Sequence, residues 1–109
     1  MGAGETIAAE VASWQGVTTQ PGPFGATSFM LGRRELGHVH GDSVADFAFP
    51  RRIADMLVET GRARPHRWTD SPGVVSRDLE TDEDAADVIE LFRLAYERAQ
   101  VAARVRGSD

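Results

Sequence analysis

His38 and His40 stand two residues apart in the run Arg33-Arg34-Glu35-Leu36-Gly37-His38-Val39-His40-Gly41-Asp42. In a β-strand that spacing puts both side chains on one face of the sheet, with their roots about 6.5–7 Å apart. Two imidazoles so placed can reach one metal ion, one oxygen atom or one substrate group. The third histidine, His66, follows Pro65, which biases Arg64 towards extended backbone, so all three rings can converge. Three histidines with open positions suit a zinc or non-haem iron site. They serve equally as a metal-free general base with helpers, because imidazole titrates near neutral pH unaided. The plain alternative is a pair of solvated or hydrogen-bonded histidines on a half-exposed strand. No carboxylate is forced into the set: by strict alternation Glu35 and Val39 fall on the other face, and Asp42 reaches His40 only if its turn folds back.

Other polar groups are less distinctive. Arg33, Arg34, Arg51 and Arg52 bracket the strands, and Arg62, Arg64 and Arg67 flank His66. Guanidinium forks match carboxylate or enolate oxygens; the alternative is a solvated surface balancing seventeen acidic residues. Ser43 and Ser76 lack the surroundings of a nucleophile elbow, and no glycine-rich phosphate loop follows a strand. Phe24, Phe29, Phe47, Phe49 and Met30 read as core, and Trp14 and Trp68 as core or rim.

The elements that must hold these residues follow from periodicity. Ile7, Ala8, Val11 and Trp14 recur at helical spacing up to Gly16. Val17–Phe24, with Pro21, Gly22 and Pro23, reads as a connection. Ala26–Leu31 and Glu35–His40 form a hairpin about Gly32-Arg33, and Val44–Phe49 alternates as a third strand. Pro50 opens a short helix with Ile53, Ala54, Met56 and Leu57 on one stripe, closed by Gly61. Gly73–Leu79 is a further strand. Thr81 caps a long helix with Asp82, Glu83 and Asp84 in its first turn and Ala85, Val88, Ile89, Phe92, Ala95, Tyr96 and Ala99 on one face. This order predicts an α+β sandwich, an antiparallel sheet of four to five strands with helices on one face and the other face partly open.

Length and composition bound the rest. A chain of 109 residues encloses one core, so residues 1–109 are read as a single domain. The apolar share of 41% beside 27% charged residues is that of a soluble globular protein. With no cysteine, disulfides, thiolate nucleophiles and thiolate metal sites are excluded. The absence of a long apolar run or a signal-peptide pattern gives the expectation of a cytoplasmic protein without membrane contact. A net charge of −5 argues against nucleic acid as a partner. All twelve basic residues are arginine, as in proteins of GC-rich genomes.

The run Arg34-Glu35-Leu36-Gly37-His38-Val39-His40, the later Gly61-Arg62-Ala63-Arg64-Pro65-His66 segment and the long helix through Ala95-Tyr96-Glu97-Arg98-Ala99 together resemble the luciferase-domain family, over residues 17–99. That family contains the fungal luciferases and many small bacterial proteins. The fungal members are oxygenases that add dioxygen to a hydroxylated pyrone and are held to need neither metal nor organic cofactor. The resemblance implies His38, His40 and His66 as catalytic residues, one of them deprotonating an enol, with Arg34, Arg64 and Trp68 as substrate contacts and a small enolisable aromatic or pyrone-type ligand. Cofactors are accordingly expected to be none, with zinc or iron at the three histidines as the alternative. The fungal pattern has a further histidine where this chain has Ser43, and a preceding apolar extension, so light emission is not expected. The helix-and-hairpin order is also similar to small bacterial frataxin-like, DNA-associated proteins, which supports the fold class. The rival reading is a non-catalytic module that binds protein or nucleic acid through Arg51, Arg52, Arg62, Arg64 and Arg67. Homodimerisation through Val44–Phe49 or the long helix is a third expectation.

Overall fold

The computed structural model describes residues 2–66 and 71–107. Helix α1 (Ala3–Val11) leads into strand β1 (Val17–Pro21), followed by a 3-10 turn at Pro23–Gly25. Then come β2 (Thr27–Leu31), β3 (Arg34–His40), β4 (Val44–Ala48), α2 (Arg51–Glu59), the two-residue β5 (Arg64–Pro65), β6 (Val74–Asp78) and α3 (Asp82–Gly107). The strands form one six-stranded antiparallel sheet in the order β1-β2-β3-β4-β6-β5. The fold is therefore the expected α+β class, with more strands than the four to five foreseen.

One addition is Val17–Pro21, expected as a connection and found as the edge strand β1, paired to β2 from Val17↔Leu31 to Pro21↔Thr27. An edge tolerates Pro21, because a missing amide donor there breaks no inner ladder. The other is β5, where Arg64 and Pro65 pair with Ser76 and Val75. Helix α1 begins at Ala3, ahead of the periodic residues Ile7, Ala8 and Val11. Gly4 donates its amide to Asp42 Oδ1 at 2.8 Å, so Asp42 does not turn back to His40 but places its charge at the helix N-terminus, where the dipole favours it.

A single apolar cluster lies between sheet and helices, built from Phe29, Leu36, Val39, Phe47 and Val75 of the sheet, Ile7 and Val11 of α1, Leu57 of α2, and Val88, Leu91, Phe92 and Tyr96 of α3. Phe92 is fully buried, with its ring 5.1 Å from Phe29 and 4.8 Å from Phe47 in edge-on geometry; emptying such a site costs about 3–5 kcal/mol. Long helix and sheet are also joined by charge. Arg77 of β6 donates to Asp84 at 2.6 Å and to Asp87 at 2.8 Å. That guanidinium, with the amides of Glu80 and Thr81, holds the Asp84 carboxyl down to about 2, and Thr81 Oγ1 accepts from Asp84 N as the expected cap. No described helix is long and apolar enough to cross a membrane.

The feature that matters most for the polar face is a β-bulge in β3. Phe29 of β2 pairs with Gly37, yet the next residue, Met30, pairs with Glu35, so Leu36 is an extra residue in β3. Two consecutive positions, Leu36 and Gly37, then face the core, and every residue before them changes sides. Gly37 fits because it has no side chain: a Cβ there would lie 2.8 Å from the Phe47 ring and 2.9 Å from the Phe92 ring. Gly37→Ala is expected to destabilise the fold by about 1–3 kcal/mol through overpacking, and to weaken the packing that fixes His38. Denaturant unfolding followed by circular dichroism checks this, and an unchanged midpoint would contradict the packing argument.

Candidate functional site

The face of the sheet away from α1 and α3 carries one polar row straight across five strands. The pairings Ser28↔His38, His38↔Asp46, Asp46↔Ser76 and Ser76↔Arg64 put these residues side by side, within the cross-strand distance at which side chains interact. His40, two residues on from His38, lies diagonally beside Asp46. The hydrogen bonds follow from the register. Nε2 of His40 donates to Asp46 Oδ2 at 2.9 Å, Nε2 of His38 donates to the same oxygen at 3.1 Å, and Ser76 Oγ donates to Asp46 Oδ1 at 2.6 Å. His66, just beyond β5, brings its Nε2 to 3.5 Å from Asp46 Oδ2. The three histidines singled out in the sequence therefore meet, and they meet around one carboxylate.

Asp46 is only 3% exposed. Burial opposes its charge, but hydrogen bonds from His38, Ser76 and His40 outweigh that cost and hold its carboxyl far below the usual carboxylate range. His38 is shifted the other way. Its bond to Asp46 raises its pKa above the ordinary value, burial works against the rise, and Glu35 adds to it. Nδ1 of His38 donates to Glu35 Oε1 at 3.0 Å, and that oxygen also accepts from Ser28 Oγ at 2.7 Å. A carboxylate at each ring nitrogen favours the protonated ring, which donates from both, over the neutral one, which donates from one.

Glu35 thus stands beside His38, not on the other face as strict alternation requires. The bulge at Leu36 is the reason, and the same reversal carries Arg34 the opposite way, into a hollow with Glu97, Arg98, Val101 and Ala102 along α3. Arg34 is therefore not brought to the histidines. Arg64 is: it lines their hollow, and its fork is engaged by Asp78, Nε to Oδ2 and Nη2 to Oδ1, both at 2.8 Å. That pairing raises the Arg64 pKa further. Trp68 lies outside the described residues. Among the other arginines, Arg51 sits 3.8 Å from Asp55 and Arg62 3.3 Å from Glu90, so acids are interleaved with this basic surface.

The rings and the carboxylate line one side of a hollow of about 730 Å³, whose other walls include Pro23, Phe24, Ser43, Val44 and Asp78. The volume is in the range of small-molecule sites. Phe24 does not join the core as the sequence suggested. It is 99% exposed at the rim, with φ of 53°, a left-handed conformation that a bulky side chain rarely adopts. Asp46 and Glu35 were missed in the sequence because their role depends on cross-strand register and on the bulge. The one local signal was the alternation of Val44–Phe49, which puts Asp46 on the polar face.

A family model of the luciferase domain matches residues 33–95, more than half of the 109. The chain belongs to the luciferase-domain family. No curated protein and no solved structure matches it. The matched region of this luciferase domain begins in the β2–β3 turn and ends within α3, so it contains the bulge, all three histidines, Asp46 and Ser76.

The shift of His38 has a stability consequence in chelator-treated protein. A histidine raised in the folded state contributes stability that is fully present below its unfolded pKa of about 6.5 and is lost as pH rises through the folded value. Nuclear magnetic resonance titration should show His38 titrating above 6.5, with the midpoint lowered in Asp46→Asn and, by less, in Glu35→Gln. A midpoint indifferent to both substitutions would refute the assigned cause.

Proposed function

We propose that this luciferase domain binds a small enolisable aromatic or pyrone-type molecule in the histidine-lined hollow and promotes its reaction with dioxygen. The observation that carries the reading is the convergence of His38, His40 and His66 on Asp46 at one wall of a hollow of about 730 Å³. Proton transfer needs a base within hydrogen-bond reach of the acidic position, and a negative group behind an imidazole stabilises the imidazolium once the proton arrives.

The chemistry balances without a further reductant. An imidazole of the cluster takes the proton from the enolisable position, leaving a carbanion. That carbanion forms a carbon–oxygen bond to dioxygen and gives up two electrons to it, and the resulting peroxide takes the proton back from the imidazolium. Substrate and dioxygen combine into one hydroperoxide. Ser43 lines the hollow where fungal members have a further histidine, so no light-emitting step belongs to this reading.

Hydroxypyrone and phenolic compounds should raise the melting temperature saturably and bind by calorimetry, with affinity reduced at least tenfold in His38→Ala and in His40→Ala, and with oxygen uptake at an electrode that the same substitutions abolish. No saturable binding across the series would overturn the ligand reading; binding without oxygen uptake would overturn the oxygenase part.

Phe24 supplies a second test. A strained, outward-facing aromatic at a rim has an apolar ring face available for stacking on a planar ligand. Phe24→Asn should relieve about 1 kcal/mol of backbone strain, leaving stability equal or higher, while weakening the binding of the same compounds. Unchanged affinity would remove Phe24 from the site.

A further inference from the structure

The geometry points to a divalent transition-metal site formed by His38, His40 and Asp46. It goes beyond the ligand-binding reading and does not depend on it, because ion binding is measured with no organic molecule present.

The first observation is the donor set. One nitrogen from each of His38 and His40 and one oxygen of Asp46 lie within 4.8 Å of one another. Two histidines and one carboxylate on one side of an open hollow are the donors that first-row ions such as iron(II) and zinc take while keeping positions for other groups. The separations fit as well. With ligand bonds of about 2.1 Å, neighbouring donors stand roughly 3.0 Å apart in an octahedron and roughly 3.4 Å apart in a tetrahedron. The Nε2 atoms of His38 and His40 are 3.1 and 2.9 Å from Asp46 Oδ2.

The second observation is that in two of the three residues, His38 and Asp46, the atom pointing away from this centre already has a partner. Nδ1 of His38 is held by Glu35, and Glu35 is held by Ser28. Oδ1 of Asp46 is held by Ser76, leaving Oδ2 turned to the imidazoles. Such outer contacts fix the tautomer and direction of ligating groups. Glu35 and Ser76 are positioning residues here. On taking up an ion, His38 would release its Nε2 proton and keep Nδ1–H on Glu35, and Asp46 would exchange two imidazole N–H partners for the cation. A buried carboxylate facing several imidazole nitrogens is as well served by a cation as by those protons.

The test uses the untagged, chelator-treated chain of residues 1–109, titrated with zinc(II) and cobalt(II) in a calorimeter and, for cobalt, by visible absorption. One equivalent is expected to bind, with release of protons into the buffer and a ligand-field spectrum of nitrogen and oxygen donors. His40→Ala and Asp46→Asn should weaken binding at least a hundredfold. Glu35→Gln, which touches no ion, should weaken it 10–100-fold while keeping the spectrum of the complex that does form. Asp84→Asn, on α3, should bind as the parent does. If Asp46→Asn fails to fold by circular dichroism, the half-exposed His40 carries the decision. Absence of one-to-one binding by the parent chain, or binding that survives His40→Ala, overturns the site.

Discussion

The buried carboxylate of Asp46 organises the polar side of this protein. A charged group only 3% exposed persists in a fold only if its lone pairs are occupied, and here the four occupants come from three separate segments: His38 and His40 of β3, Ser76 of β6 and His66 beyond β5. Each contact also ties its segment to β4. Removing one partner from such a set costs more than the lost hydrogen bond, because the charge left behind stays buried. The arrangement that gathers the imidazoles is therefore also a structural constraint on the centre of the sheet.

A one-residue irregularity decides which groups join that centre. With the extra residue Leu36 in β3, Glu35 rotates to His38 and Arg34 rotates towards α3. Without it the two would exchange places, putting a guanidinium beside the imidazoles and an acid against Glu97 of the long helix. The bulge is affordable to the packing because Gly37, next to it, leaves room for the Phe47 and Phe92 rings. Core packing on one side of the sheet and electrostatics on the other are thus settled by the same pair of residues.

The site is open towards solvent but backed by a rigid layer. Behind β3 and β4 lie Phe29, Phe47 and Phe92 in edge-on contact, and behind β6 the Arg77 fork grips Asp84 and Asp87 of α3. Side chains rooted in central strands are held more closely than those on loops, which suits a set of imidazoles that must share one oxygen. The part nearest the rim, Pro23–Gly25, carries the strained Phe24 and contributes a wall of different character, apolar and unburied.

Much of the framework was legible in the chain alone. Local periodicity and turn residues specified α3, the Gly32-Arg33 hairpin, strand β4 and the sharing of one face by His38 and His40, since each depends on neighbours within a few positions. Membership of the luciferase-domain family was likewise readable from Arg34–His40 and the later His66. Only the tertiary structure decided that His66 reaches the pair, that Asp46 is their common partner, that Glu35 and not Arg34 stands beside them, and that Val17–Pro21 pairs as an edge strand. Those outcomes rest on register between strands far apart in sequence, as with Asp46 and Ser76, 30 residues apart, and on a bulge that reverses side-chain parity. Neither is encoded by composition or spacing, because both arise from how one strand fits against the next.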